Sequence, residues 1–123
     1  MVKKKEAREL LRRYLVEMNE KQTAENIHEL LSDDFVCHQP GNNIVGLEGF
    51  KDMFRKLFAE RKLHLKVEDL IIAGDKVVTR WTSRTTSKAG GDERVTAEIT
   101  IDLIRDGKFA ETWHMWSDKP WLK

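Results

Sequence analysis

Apolar residues recur at helical spacing through the first half of the chain and predict three helices. A first amphipathic helix over residues 4–20 follows from one apolar side made of Leu10, Leu11, Tyr14, Leu15 and Met18. Thr23 is a plausible N-cap for a second, short helix that carries Ala24, Ile27, Leu30 and Leu31. After Gly46, a third helix is predicted from Phe50, Met53, Phe54, Leu57 and Phe58.

The pattern changes to strands in the second half. "DFVCHQP" predicts a short extended segment that ends at Pro40, because the residue before a proline avoids the α region. From Leu63 onward four β-rich stretches follow: LHLKVEDLII, KVVTRWTSRTT, RVTAEITIDLI and KFAETWHMW. Glycine-bearing segments separate them, as tight turns require. The order predicts one α+β domain over residues 1–123, a cone-shaped roll with three N-terminal helices on a curved, mostly antiparallel sheet.

The "RDG" turn allows two registers for the last two strands. A two-residue loop would place Asp102 opposite Glu111, and like charges that face each other destabilise a sheet. A three-residue loop with a bulge at Gly107 would instead pair Glu98 with His114. We favour the bulged register because it replaces a repulsive pair with an attractive one.

Side-chain alternation then gives the two faces of this hairpin different characters. One face is mixed and carries Glu98, Thr100, Asp102, Thr112, His114, Trp116 and Asp118. The other is apolar and carries Val95, Ala97, Ile99, Ile101, Leu103, Phe109, Trp113 and Met115. Either the apolar face forms the core, or the mixed face lines a pocket beneath the helices. In the second case the apolar face lies outside and requires a partner.

Composition excludes several classes of function. The 22 Lys and Arg nearly balance 21 Asp and Glu, so the basic surface typical of nucleic-acid binding is not expected. No apolar run is long enough to span a membrane. The single Cys37 is typical of a reducing cytoplasm. The four histidines are scattered and there are no paired cysteines, so no metal site is predicted. The sequence also has no phosphate-binding glycine loop, so no organic cofactor is predicted.

Five segments in order resemble the SnoaL-like polyketide cyclases: RRYLVEMN, LLSDDFVCHQPG, GLEGFKDMF, VEDLIIAGDKVVTRW and IDLIRDGKFAETWHMWSD. This family belongs to the nuclear transport factor 2-like superfamily, with the ketosteroid isomerases and limonene epoxide hydrolases. The resemblance implies that Thr112, His114 and Trp116 face a pocket. It also implies a homodimer joined through the apolar sheet faces.

The resemblance implies three catalytic candidates that match the isomerases in part. Tyr14 stands where a first-helix tyrosine donates to the substrate oxygen, which would stabilise an oxyanion. Asp102 resembles a second donor, a carboxyl kept protonated by an apolar site. His38 falls where the isomerases place a carboxylate base. Each has a structural alternative, which is a packed aromatic for Tyr14, an ordinary hydrogen bond for Asp102 and a pocket-rim hydrogen bond for His38.

Position 114 carries histidine where the cyclases and epoxide hydrolases commonly offer an aspartate. A His114–Glu98 pair would suit a general acid or base, and a structural histidine between tryptophans is the alternative. Among the substrate-binding candidates, Trp81 and Trp116 would form aromatic walls unless they fill the core. Asp118 either supplies a terminal acid or forms an ion pair with Arg94.

These residues predict an enzyme that uses acid–base chemistry, without a metal or organic cofactor, on an apolar carbonyl, enol or epoxide. The alternative is a dimer of the same fold that binds a hydrophobic ligand without turnover. The two differ in whether His114, Tyr14 and His38 converge on one point.

Overall fold

The fold combines two α-helices with one six-stranded sheet, in a computed structural model that describes residues 3–122. Helix α1 spans Lys4–Leu15 and continues as a π-helical turn over Val16–Lys21, and helix α2 spans Leu47–Glu60. The strands are β1 (Leu31–Gln39), β2 (Asn43–Gly46), β3 (Arg61–Ala73), β4 (Lys76–Ser87), β5 (Glu93–Arg105) and β6 (Lys108–Ser117). The predicted α+β class is confirmed. No helix among the described residues has both the length and the apolar character that crossing a membrane requires.

The sheet is mixed, with the strand order β2-β1-β6-β5-β4-β3. Strands β3 to β6 form the expected antiparallel meander. Strand β1 pairs with β2 in antiparallel fashion but runs parallel to β6. Strands β1 and β6, which are far apart in the sequence, are therefore neighbours in the middle of the sheet, and the side chains of β1 lie beside those of β6.

The predicted second helix is wrong, because only a single 3-10 turn forms, over Ile27–Glu29. The Thr23 hydroxyl accepts the N–H of Glu25 at 3.1 Å, which makes a local turn and not a helix cap. Leu31 already belongs to β1, where it pairs with Phe109. The apolar residues of this segment are buried as predicted, but the chain enters strand β1 before a helix can extend.

The register favoured for the last hairpin is also wrong. The turn contains two residues, Asp106 and Gly107, with φ of 53° and 77°, as a type I′ turn requires. The extra residue is Ala110, which lies inside β6, and beyond it Asp102 faces Thr112. This bulge removes the repulsive pairing with Glu111 that the two-residue turn alone would have produced.

The faces predicted for this hairpin survive the error in register. The observed pairing beyond the bulge differs from the favoured one by two residues, and a shift of two keeps every side chain on its face. Glu98 faces Trp116 in the ladder and not His114. Phe109 is an exception: it precedes the bulge, is buried and contributes to the core.

The core lies between the helices and the inner face of the sheet. It joins Ala7, Leu10, Met18, Ile27, Leu30, Phe35, Phe58, Val77, Ile104 and Phe109, among others. The outer face keeps large apolar side chains exposed, namely Ile71, Ile99, Ile101, Trp113 and Met115. Packing thus follows the second alternative, with the mixed face directed inward.

Candidate active site

A cavity of about 220 Å³ lies between the helices and the inner face of the sheet. The helices line it with apolar side chains, namely Leu11, Phe50, Met53, Phe54 and Leu57, together with Tyr14. Its polar lining comes from strands β4 to β6 and β1, as Ser83, Glu98, Thr100, Asp102, Thr112, His114 and Gln39. An apolar wall that faces a few convergent polar groups is the usual composition of a small-molecule site.

Strand alternation explains why these polar groups converge. Glu98, Thr100 and Asp102 occupy every second position of β5, so all three point to the same face. Thr112 and His114 do the same on β6, opposite Asp102 and Thr100. One face of two adjacent strands therefore brings two carboxyl groups, two hydroxyls and an imidazole to one wall.

His114 is held by Glu98. The imidazole Nε2 lies 2.6 Å from Glu98 Oε1, along a diagonal of the sheet, and both residues are partly buried. The Thr96 hydroxyl donates to the other carboxylate oxygen at 2.8 Å. Burial alone would favour the neutral acid, but the bonds from His114 and Thr96 outweigh it and hold the pKa of Glu98 below its usual value.

This contact determines which imidazole nitrogen can react. With Nε2–H donating to the carboxylate of Glu98, Nδ1 carries the lone pair of the neutral ring. Among residues 3–122, no partner accepts from or donates to His114 Nδ1. The imidazole therefore has one nitrogen held by Glu98 and the other without a partner among the described residues.

Asp102 is the buried carboxyl of the site, with 9% of its surface exposed. The Thr112 hydroxyl donates to one of its oxygens at 2.5 Å, and Thr100 approaches the other at 3.4 Å. The indole N–H of Trp81 donates to Thr100 at 2.9 Å and links that tryptophan to the same network. Burial raises the pKa of Asp102 to about 6, against the lowering effect of the two threonines.

Tyr14 lines the cavity from the last turn of α1. Its ring packs edge-on to Phe109 and tilted against Trp81, each with 6.4 Å between centroids. Burial, and then the nearby charges of Asp102 and Glu98, raise the pKa of the Tyr14 phenol well above its ordinary value. The phenol therefore keeps its proton, and among the described residues no group accepts it.

Five of the eight predicted site residues meet at the cavity: Tyr14, Trp81, Glu98, Asp102 and His114. The other three do not line it. His38 points to the outer face, where its ring stacks on Trp113 and its Nε2 lies 2.5 Å from Glu111.

Trp116 and Asp118 lie beyond the cavity wall. Trp116 tilts against the His114 ring, with centroids 5.1 Å apart, and leaves 46% of its surface exposed. Asp118 follows the end of β6, is exposed, and does not pair with Arg94, whose guanidinium lies 3.5 Å from Asp92. The expected position of Trp116 in the pocket is wrong, and of the two alternatives for Asp118 the ion pair with Arg94 does not form.

On β1, Cys37 and Gln39 line the cavity although the sequence did not predict them as site residues. Phe35 was the available signal, because a buried aromatic on β1 places Cys37 and Gln39 on its own face and His38 on the other. Burial raises the pKa of the Cys37 thiol to about 11, so it remains a neutral thiol at physiological pH. No cluster of three or more potential metal ligands occurs within residues 3–122.

Solved structures share this fold. TsrD from Streptomyces laurentii is 24% identical, with 95% of this chain and 92% of that chain covered and a TM-score of 0.80. IdmH from Streptomyces antibioticus, described as a candidate polyketide cyclase, is 21% identical over 90% and 91%, with a TM-score of 0.79. An LEH-like epoxide hydrolase from M. tuberculosis is 16% identical over 92% and 84%, with a TM-score of 0.77.

The sequence comparison is more specific than the fold. No curated protein matches the chain. The profile of the SnoaL-like domain, however, matches residues 11–112, a span that runs from Leu11 on the cavity wall to Thr112 beside Asp102. Because this match covers most of the chain, and the structure has the fold of nuclear transport factor 2-like proteins, the chain belongs to the SnoaL-like domain family.

Proposed function

We propose that the protein is an enzyme that moves protons on a small apolar carbonyl, enol or epoxide substrate. The observation that carries this proposal is the His114–Glu98 pair in the wall of an otherwise apolar cavity. A histidine that only filled space would need neither a carboxylate on its Nε2 nor a place in the cavity wall. The candidate cyclase and the epoxide hydrolase among the similar structures support this reaction class.

In the proposed reaction, His114 Nδ1 takes a proton from the substrate or returns one to it. Glu98 keeps the ring oriented and stabilises the imidazolium that forms, as a carboxylate does beside a catalytic histidine. The Tyr14 phenol, which keeps its proton, donates to the oxygen on which negative charge develops. Asp102 joins as a second donor only while it is protonated, and displacement of water by a substrate favours that form.

Binding without turnover is the second candidate, favoured by the aromatic wall of Tyr14, Phe50, Phe54 and Trp81. A hydrophobic ligand would be held by the same surfaces. Of the three residues whose convergence was expected to distinguish the two functions, only Tyr14 and His114 line the cavity, because His38 lies on the outer face. The two functions therefore differ in whether His114 transfers a proton.

The test uses two probes, acetophenone for exchange of its α-protons in D₂O and styrene oxide for hydrolysis. We expect the protein to accelerate at least one reaction. Replacing His114 with Gln should lower that rate by about 100-fold or more, the usual contribution of a general acid or base. Affinity for acetophenone should stay within about twofold, because the proton carrier is not the main source of binding.

The matched control is His64→Gln, which changes an exposed histidine on β3 and should leave the rate unchanged. Binding of the probes without any acceleration would favour the binding protein. A rate that is equal in the wild type and in His114→Gln would overturn the role of His114.

A further inference from the structure

Gln39 is a polar cavity residue that the proposed reaction does not use. It ends β1, where Pro40 stops the strand. The parallel register pairs Cys37 with Thr112 and His38 with Trp113, so Gln39 comes level with His114, about 5 Å away across the sheet. Gln39 therefore stands at the rim, beside the proposed proton carrier.

Its carboxamide is held in one orientation. The Asn43 side-chain amide donates to Gln39 Oε1 at 3.0 Å, which ties the oxygen to the hairpin between β1 and β2. The nitrogen, Nε2, then lies between two sulfurs, 4.0 Å from Cys37 Sγ and 3.7 Å from Met53 Sδ. Both sulfur residues line the cavity, so the amide donors are at the cavity surface.

The half-buried amide donors of Gln39 have no oxygen acceptor among the described residues. Sulfur is a weak acceptor, and within residues 3–122 the Gln39 amide nitrogen donates only to sulfur. Cys37 remains a neutral thiol, and Met53 is a thioether with 43% of its surface exposed. An oxygen acceptor brought by a ligand would make a stronger bond than either.

We propose that Gln39 binds a second oxygen of the substrate, and this inference rests on the proposed function of the same cavity. The first oxygen lies at Tyr14 and Asp102, in the deep part of the cavity. The Gln39 row and the Asp102 row are two residues apart along the strands, an offset of about 7 Å in that direction. The substrate class is thus an apolar, ring-sized compound with a carbonyl or epoxide at one end and a second acceptor oxygen at the other.

The test compares para-methoxyacetophenone with para-ethylacetophenone, which differ in one ether oxygen replaced by a methylene. We expect the wild type to bind the methoxy compound about fivefold more tightly, the effect of one neutral hydrogen bond. Gln39→Met keeps the length of the side chain without its donors and should abolish this preference. Ile44→Met, the control, changes an exposed residue of the neighbouring strand β2 that does not line the cavity, and should retain the preference.

The outcomes separate this inference from the proposed function. A preference that persists in Gln39→Met, or that the wild type lacks, overturns the role of Gln39. A preference in a protein that accelerates neither α-proton exchange nor styrene oxide hydrolysis supports Gln39 while it contradicts the enzyme. If neither acetophenone binds, the two-oxygen substrate class is wrong together with the ligand class from which it was built.

Discussion

Asp102 couples the stability of the fold to the chemistry of the site. Its pKa rises from an ordinary 3.8 to about 6 because the folded protein buries the carboxyl. Between these two values the folded state holds a proton that the unfolded state has released, so stability falls as pH rises through this window. Above it, the folded protein carries a buried carboxylate whose hydrogen bonds within residues 3–122 come from the two threonine hydroxyls.

Replacing Asp102 with Asn should remove this pH dependence. The wild type should lose about 2 kcal/mol of its free energy of unfolding between about pH 4 and about pH 8 through the raised pKa of Asp102, and the variant should not show this loss. Urea unfolding at both pH values measures the change. Asp118→Asn, at an exposed position, should show the same loss as the wild type, and a constant difference between Asp102→Asn and the wild type would show that Asp102 is not perturbed.

Removing the Tyr14 hydroxyl should impair catalysis without affecting stability. This hydroxyl has no acceptor among the described residues, so Tyr14→Phe should change the free energy of unfolding by less than about 0.5 kcal/mol. Loss of an oxyanion donor should lower turnover by about 100-fold. Rates with whichever probe the protein turns over, together with thermal unfolding, test both. An unchanged rate would make Tyr14 a wall residue only.

For individual residues, the sequence predicted which residue types form the site better than it predicted which way each side chain points. His114, Glu98, Asp102 and Tyr14 meet as expected, because alternation on two adjacent strands and one helix turn determine their faces. His38 was assigned through its resemblance to a base position, and strand alternation from Phe35 contradicts that placement. Gln39 went unnoticed because an amide seldom signals chemistry on its own.

Among the elements, the bulge in β6 decides whether the site forms. Without the extra Ala110, every residue beyond it would pass to the opposite face, and His114 would point outward. Charge pairing showed that a simple two-residue hairpin was unfavourable, but it could not show whether the turn or the strand would absorb the extra residue. The missing second helix has a similar cause, since pairing of Leu31 with Phe109 is a long-range contact that local periodicity does not contain.

The π-helical turn after α1 protects the edge of the sheet. Asn19 donates to the Leu65 carbonyl at 2.8 Å and accepts the Leu65 N–H at 2.7 Å. Gln22 makes the same pair of bonds with Leu63. Two side-chain amides thus replace a missing neighbour strand along edge strand β3 and cover groups that would otherwise invite aggregation.

We expect Asn19→Ala to lower the free energy of unfolding by about 2 kcal/mol, from two hydrogen bonds of about 1 kcal/mol each. It should also increase aggregation on heating, because the Leu65 backbone is left unpaired. Urea unfolding and light scattering measure the two effects. Glu20→Ala, which changes an exposed residue of the same turn, provides the control, and equal stability of both variants would show that the Asn19 bonds contribute nothing.

At the scale of the whole molecule, the outer face of the sheet exposes a group of large apolar side chains. Ile71, Ile99, Ile101, Trp113 and Met115 are all exposed there, and Met115 keeps 62% of its surface open to solvent. Apolar groups of this size on one face usually mark an interface. We propose that a second copy of the chain covers this face, which leaves both cavities directed away from the interface.

Light scattering coupled to size exclusion should therefore give twice the mass of the chain. Met115→Lys should shift it to the mass of one chain, because a charge in an apolar interface lacks a partner. Leu122→Lys, in the exposed tail, should remain a dimer. A monomeric wild type at micromolar concentration would contradict the proposed interface.

The central claim is that His114 meets the substrate inside the cavity, and a crystal structure with para-methoxyacetophenone tests it most directly. We expect the α-carbon of the ketone about 3.5 Å or less from His114 Nδ1, the separation of reacting atoms in a productive complex. The carbonyl oxygen should lie toward the Tyr14 hydroxyl. A ligand seated in the cavity with His114 Nδ1 turned away from it, or bound outside the cavity, would contradict the claim.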